Sequence, residues 1–204
     1  SIGQGDTVVT PLKLTQAYAA IANGGTLWQP LVAKAIVKTD GTVVKRFTPK
    51  VDGKVDADPK TFAWLRDALH EVTISGTAAG AFAGFPVHIS GKTGTGEVFG
   101  LNANGSKKNS TSWFASFGPT ENPQYAVVVM VSQGGTGAAA AGIGARQIYN
   151  TIYGVVGNKQ VPEKIVYPNG IPTKLPKISP TTKVVIATPS PSPTSSVKAK
   201  AVKK

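Results

Sequence analysis

The chain has no cysteine, one methionine and two histidines in 204 residues. Without cysteine there is no disulfide and no thiolate metal site. His70 and His88 lie far apart in sequence, with no run of carboxylates around them, so no metal centre is expected and no cofactor is implied. Zero cysteine suits an extracytoplasmic bacterial protein, although many cytosolic chains share it. Long apolar runs are also missing, and nothing approaches a membrane span or a secretory leader. The chain opens on Ser1-Ile2-Gly3-Gln4-Gly5 with no initiating methionine. It therefore reads as the middle of something longer, and a missing leader says nothing about a parent protein.

Acidic residues are scarce: ten Asp and Glu stand against 22 Lys and Arg, a net charge of +12. The excess is uneven, since Lys159 to Lys204 holds nine lysines and one glutamate. A basic tail on a nearly neutral domain suits an anionic wall polymer or lipid, or simply keeps itself solvated and extended. Nucleic acid is not expected as a partner, because no arginine cluster or aromatic platform accompanies the lysines. A hydrophobic content of 41% and a mean hydropathy of −0.02 fit a packed core in a water-facing chain.

Local patterns predict a mixed α/β (α+β) domain, mostly antiparallel sheet flanked by helices. Residues 10 to 23 read as a helix capped by Thr10, with Pro11 at its first position and Asn23-Gly24-Gly25 at its end. Leu14, Tyr18, Ile21 and Ala22 fall on one face. Segments 32–37 and 42–47 flank Asp40-Gly41, a hairpin signal. A second helix starts at Asp58-Pro59 with the stripe Phe62, Leu65, Leu69 and Val72, and residues 76 to 84 read as a small-residue loop. Three strands follow: 87–98, 112–118 and 125–132, the last nearly all apolar and so expected to be buried on both faces. A polar connection, 101–109, joins the first two. A closing helix at 139–153 would pack through Ala145, Ile148, Tyr149 and Ile152. The domain is expected over 1–156. The segment 157–204, with eight of the fifteen prolines, is expected to be a disordered tail.

The segment with chemical content is Gly91-Lys92-Thr93-Gly94-Thr95. As a phosphate loop it fails, because Pro86 stands where the Walker pattern needs glycine. Taken alone, Lys92 is an exposed strand lysine, and Thr93 and Thr95 are ordinary strand formers. K-T-G is, however, one of three motifs of penicillin-recognising serine enzymes, beside S-x-x-K and S-x-N.

The surroundings strengthen that link. Gly3-Gln4-Gly5, Thr10-Pro11-Leu12 through Ala22-Asn23-Gly24-Gly25, Gly76-Thr77-Ala78 with Phe82, Trp113-Phe114, Pro119 and the 125–131 strand together resemble class B penicillin-binding proteins of the elongation type. The likeness covers roughly residues 1 to 154. It implies part of a serine penicillin-recognising (β-lactamase/transpeptidase-like) fold and acyl transfer on stem peptides ending in D-Ala-D-Ala. A serine attacks the penultimate carbonyl, D-alanine leaves, and a neighbouring amine takes the acyl group; β-lactams trap the serine. The implied partners are peptidoglycan stem peptides and β-lactams, with a glycan polymerase and an anionic wall polymer or lipid as further candidates. The implied place is the extracytoplasmic face of the bacterial plasma membrane, with an anchor upstream.

The residue chemistry suits this. Lys92 brings a charge for a carboxylate, and Thr93 and Thr95 bring hydroxyls. Alternation puts the threonines on one face and Lys92 with Gly94 on the other. Gly94 would clear room for substrate backbone, an extended peptide could add to a strand edge, and the Thr95 N–H resembles half of the family's oxyanion hole. What is absent is an S-x-x-K or S-x-N before Lys92. Ser195-Ser196-Val197-Lys198 and Tyr167-Pro168-Asn169 imitate them downstream, in the wrong order and in the proline-rich tail. The chain alone is therefore expected to be inactive. A β-lactam sensor domain, a serine β-lactamase and a non-catalytic wall-binding module stand as alternatives.

Five more residues invite attention. His70, on the second helix beside the Leu69 stripe, is expected to be a surface or boundary histidine, and His88 is expected in packing, although it shares Lys92's strand face. Glu97 is expected at a solvated strand end, Arg146 at the surface, and Trp113 in the core.

Overall fold

The computed structural model describes residues 3–5 and 8–165. Both decoy motifs, Tyr167 to Asn169 and Ser195 to Lys198, lie outside the described residues, as does most of the segment expected to be a tail.

Helix α1 spans Pro11–Ala22, and the Thr10 hydroxyl accepts from the Lys13 N–H at 3.2 Å. It stops at Gly24 and Gly25, whose positive φ values of 81° and 105° let the chain turn back so that Gly25 N–H reaches Ala20 O at 2.7 Å. Two small antiparallel pairs follow: β1 (Thr26–Trp28) with β4 (Val51–Lys54), and β2 (Ala35–Val37) with β3 (Val43–Arg46), the expected hairpin in shortened form.

Helix α2, Pro59–Ile74, is capped by Asp58, which accepts from Lys60 N–H at 2.8 Å. Phe62 is buried, and Leu65, Leu69 and Val72 are half-buried. The stretch expected to be loop contains a single helical turn, α3 (Ala79–Phe82). Its alanines favour the helix, and burial of Phe82 holds it down.

The sheet consists of β5 (Ser90–Gly96), β6 (Thr111–Gly118) and β7 (Tyr125–Val131), antiparallel and in that order. Helix α4, Ile143–Ile152, closes the fold after a π-helical turn at Ala138–Gly142. A hairpin of β8 (Val155–Val156) and β9 (Lys159–Gln160) and a short turn at Pro162–Lys164 carry the described fold past residue 156, the boundary expected from composition.

The strand buried on both faces is β6, not β7. β6 is hydrogen-bonded along both edges, and Ser112 and Phe114 to Gly118 are buried, with Trp113 half-buried. β7 stands at an edge of the described sheet and is half-buried, with Met130 at 43% exposure. An apolar run alone did not distinguish centre from edge. Strand β5 is also shorter than the expected 87–98, because main-chain groups at both of its ends are taken by partners outside the sheet.

The main core lies between the sheet and α3–α4: Phe82, Ile89, Phe114, Ala141, Ala145, Tyr149 and Tyr153 pack together. Tyr149 is fully buried, stacks on Tyr153 at 5.8 Å, and shares a hydrogen bond with Ser116 Oγ at 3.0 Å. Burial pushes its phenol well above the ordinary value, so it stays neutral. Ile148, expected in this face, is instead exposed, since the helix turns Ala145 and Tyr149 inward.

Candidate active site

Lys92, Thr93, Gly94 and Thr95 all lie on β5, which pairs with β6 on one side only. In an antiparallel ladder, alternate residues turn their main-chain groups toward opposite neighbours. Lys92 Nζ donates to Thr93 O at 3.0 Å, and the Glu97 N–H donates to Gln4 Oε1 at 2.9 Å. Residues 93, 95 and 97 therefore face away from β6, and the Thr95 N–H lies on this outer edge between the two.

The threonine hydroxyls have partners on the helical side. Thr93 Oγ1 lies 2.6 Å from Thr77 Oγ1, and Thr95 Oγ1 accepts from Gly137 N–H at 3.2 Å. That acceptance leaves the Thr95 O–H hydrogen for another partner. Thr77 precedes α3, so the small-residue loop sets the rotamer of Thr93. Sequence reasoning had counted Gly76-Thr77-Ala78 only as part of a resemblance. A Cβ on Gly94 would meet Trp113 Cβ at 3.2 Å. The glycine thus also relieves crowding with its cross-strand partner.

Other residues hold this strand from behind. Ser112 Oγ donates to Thr136 O at 2.8 Å and accepts from Ala141 N–H at 3.0 Å, which pins the turn before α4 to the sheet. The turn brings Gly137 so close that a Cβ on it would lie 2.6 Å from Gly94 O and 2.9 Å from Gly94 N. Gly137→Ala is therefore expected to lower stability by about 1–3 kcal/mol in a urea titration and to shift the Thr93 and Thr95 amide resonances, because backbone cannot give way as a side chain tip can. Ser90 and Ser112 showed no signal in the sequence; a serine in a strand is read as polar surface, yet both are fully buried and bonded.

Among the tempting residues, His88 lies away from the edge of β5. It is exposed, pairs with Glu121, and its ring sits 4.8 Å from that of His70. The His88 contact draws the Glu121 carboxyl below its ordinary value. His70 is half-buried with Nδ1 3.2 Å from Ile89 O. Arg146 is a strap rather than a surface charge. It donates to Ala81 O at 3.0 Å, Ala83 O at 2.9 Å and Asn158 Oδ1 at 2.6 Å, and lies over the Phe85 ring. Glu97 is exposed just past the strand, and Trp113 is half-buried. A cavity of about 510 Å³ is lined by residues including Gln4, Val9, Gly94, Thr95, Glu97 and Trp113. Among the described residues, no group of His, Asp and Glu is arranged to hold a metal ion.

The family described as penicillin binding protein transpeptidase domain matches residues 1–154. Peptidoglycan D,D-transpeptidase PbpA of Mycolicibacterium smegmatis is 33% identical over 145 residues, which cover 70% of this chain and 28% of that protein. MrdA of Haemophilus influenzae, also a peptidoglycan D,D-transpeptidase, is 31% identical over 159 residues, 72% of this chain and 24% of its own length. Among solved structures, PBP2 of Pseudomonas aeruginosa in complex with WCK 5153 superposes with a TM-score of 0.64 at 30% identity, over 80% of this chain and 34% of that one. Penicillin-binding protein A of M. tuberculosis, as its penicillin G acyl-enzyme complex, gives 0.59 at 28% identity, over 72% of this chain and 33% of that one. The chain thus spans about a quarter of the length of the curated relatives it matches.

Proposed function

Because the chain belongs to the penicillin binding protein transpeptidase family, we propose that the protein carrying it is a peptidoglycan D,D-transpeptidase and that β5 is its substrate strand. The observation that carries this reading is the open edge of β5, where the Lys92 ammonium and the Thr95 N–H stand together. An extended peptide ending in D-Ala-D-Ala pairs with that edge. Lys92 offers the charge, and the Thr93 and Thr95 hydroxyls the hydrogen bonds, that hold the carboxylate.

A serine Oγ, supplied by a segment carrying S-x-x-K, attacks the penultimate carbonyl carbon. The developing oxyanion accepts from the Thr95 N–H and from the serine's own N–H. The amide C–N bond breaks, D-alanine leaves with a proton, and an amine of a second strand attacks the ester to form the crosslink and free the serine. A β-lactam follows the first half and stops there. No S-x-x-K precedes Lys92 in this sequence, so in this reading the chain alone does no chemistry. The reading also places the protein at the extracytoplasmic face of a bacterial plasma membrane. Among the described residues, no helix is long and apolar enough to cross a membrane.

The test is covalent labelling by a fluorescent penicillin. A protein in which this chain follows its S-x-x-K segment is expected to label, and a D-Ala-D-Ala peptide to slow the labelling. The 204-residue chain by itself is expected to show none. Labelling of the chain alone would overturn this account of the nucleophile and bring Ser195 back as a candidate.

A further inference from the structure

The open edge of β5 is closed at both ends by side chains from outside the sheet. Residues 89, 91, 93, 95 and 97 turn their main-chain groups away from β6. At one end, Ile89 O is held by Thr73 Oγ1 at 2.7 Å and by His70 Nδ1 at 3.2 Å, both from α2. At the other, the Glu97 N–H is taken by Gln4 Oε1, a bond between residues 93 apart in sequence. Gly91 between the plugs is buried, so Thr93 and Thr95 are the positions left open, and among the described residues Thr93 O is covered by the exposed Lys92 head. Thr93 to Thr95 spans roughly 7 Å at about 3.3 Å per residue, room for about two residues of extended peptide.

Gln4 is held for this role by its neighbours. Gly3 and Gly5 have φ values of 73° and 126°, which L side chains rarely adopt, yet added Cβ atoms there would meet nothing within 4 Å. The glycines are needed for the path of the chain rather than for space. That path delivers the Gln4 carbonyl oxygen to the end of β5.

The geometry points to Gln4 as a positioning residue that ends the usable edge of β5 at Thr95 and so fixes how far along the strand a peptide can pair. This rests on the reading of β5 as a peptide-binding edge. A short peptide ending in D-Ala-D-Ala pairs with Thr93 and Thr95, and any longer peptide leaves the sheet at Gln4, toward the cavity it lines with Glu97 and Trp113.

The test uses the isotope-labelled 204-residue chain, its Gln4→Ala and Gln4→Glu variants, and two probes: N-acetyl-D-Ala-D-Ala and a pentapeptide with the same ending. Amide shifts and hydrogen exchange at Thr95 and Glu97 are read by NMR. Gln4→Ala is expected to speed exchange of the Glu97 N–H by about tenfold or more, since its one partner is gone. In that variant the pentapeptide, but not the dipeptide, should slow it again, because the longer peptide now pairs past Thr95. Gln4→Glu keeps an acceptor oxygen and should behave like the unaltered chain. If both peptides shift Thr95 but the pentapeptide leaves Glu97 of Gln4→Ala untouched, Gln4 does not set the limit, and the inference falls while the peptide-binding reading stands. If neither peptide shifts Thr95 in any of the three proteins, the reading of β5 falls and takes the inference with it.

Discussion

Lys92→Ala is expected to slow penicillin acylation about 10²- to 10³-fold in a protein that joins this chain to its S-x-x-K segment. That is the loss seen when one donor aimed at developing charge is removed from a preorganised site. The fold should survive, because Lys92 is exposed and, among the described residues, its ammonium bonds only to its neighbour Thr93. Surface changes of this kind usually stay within about 0.5 kcal/mol. The two effects separate cleanly: labelling rate against penicillin concentration measures the first, and a thermal melt the second. Lys92→Arg keeps the charge but replaces a compact ammonium by a planar fork, so it should recover part of the rate. An alanine variant that labels as fast as the original would remove Lys92 from the chemistry. A variant that melts much earlier would show instead that the lysine holds up the strand.

How much of this was legible in the sequence depended on the range of the interactions involved. Caps are local, and so Thr10 and Asp58 marked the starts of α1 and α2 within one residue of where they lie. The periodicity of the 59–74 helix is local too. The position of a strand within a sheet is not local. The run 125–131 is as apolar as a central strand, yet it stands at an edge of the described sheet, while the mixed run 111–118, with its two serines and a threonine, is the one enclosed on both sides. Its serines are tolerated inside because each finds a partner: Ser112 the turn before α4, and Ser116 the Tyr149 hydroxyl.

The site divides in the same way. Lys92 to Thr95 could be marked as a unit from the motif and its flanks. The groups that give the unit its geometry come from far along the chain: Thr77 on Thr93, Gly137 on Thr95, Gln4 on Glu97, and α2 on Ile89. None of these has a spacing that a single sequence could reveal. Arg146 shows the converse error, since a charged residue on an amphipathic helix reads as solvated until the carbonyls at the end of α3 are seen to converge on it.

The substitution expected to cost most in stability is Phe114→Ala. Phe114 is fully buried in the middle of β6, directly opposite Thr93 on β5, and its ring lies 5.4 Å from that of Phe82. It also fills the space beside Gly91, where an added Cβ would meet the ring at 2.6 Å. Removing the ring leaves a cavity walled by β5, which its ladder holds to β6, and by α3, whose preceding Thr77 is bonded to Thr93, so the walls cannot close freely on it. Changes of this type cost about 3–5 kcal/mol, a large share of the roughly 5–15 kcal/mol that holds a domain together. Urea denaturation followed by tryptophan emission should show the midpoint fall with the slope unchanged. Phe114→Leu, which keeps most of the volume, should lose less than half as much. Because the ring supports the strand segment that carries Gly91 and Thr93, the residual folded protein should also exchange its Thr93 and Thr95 amides faster. If Phe114→Ala unfolded at the original urea concentration, the core would have to be centred elsewhere, and β5 would need another support than the aromatic stack beneath it.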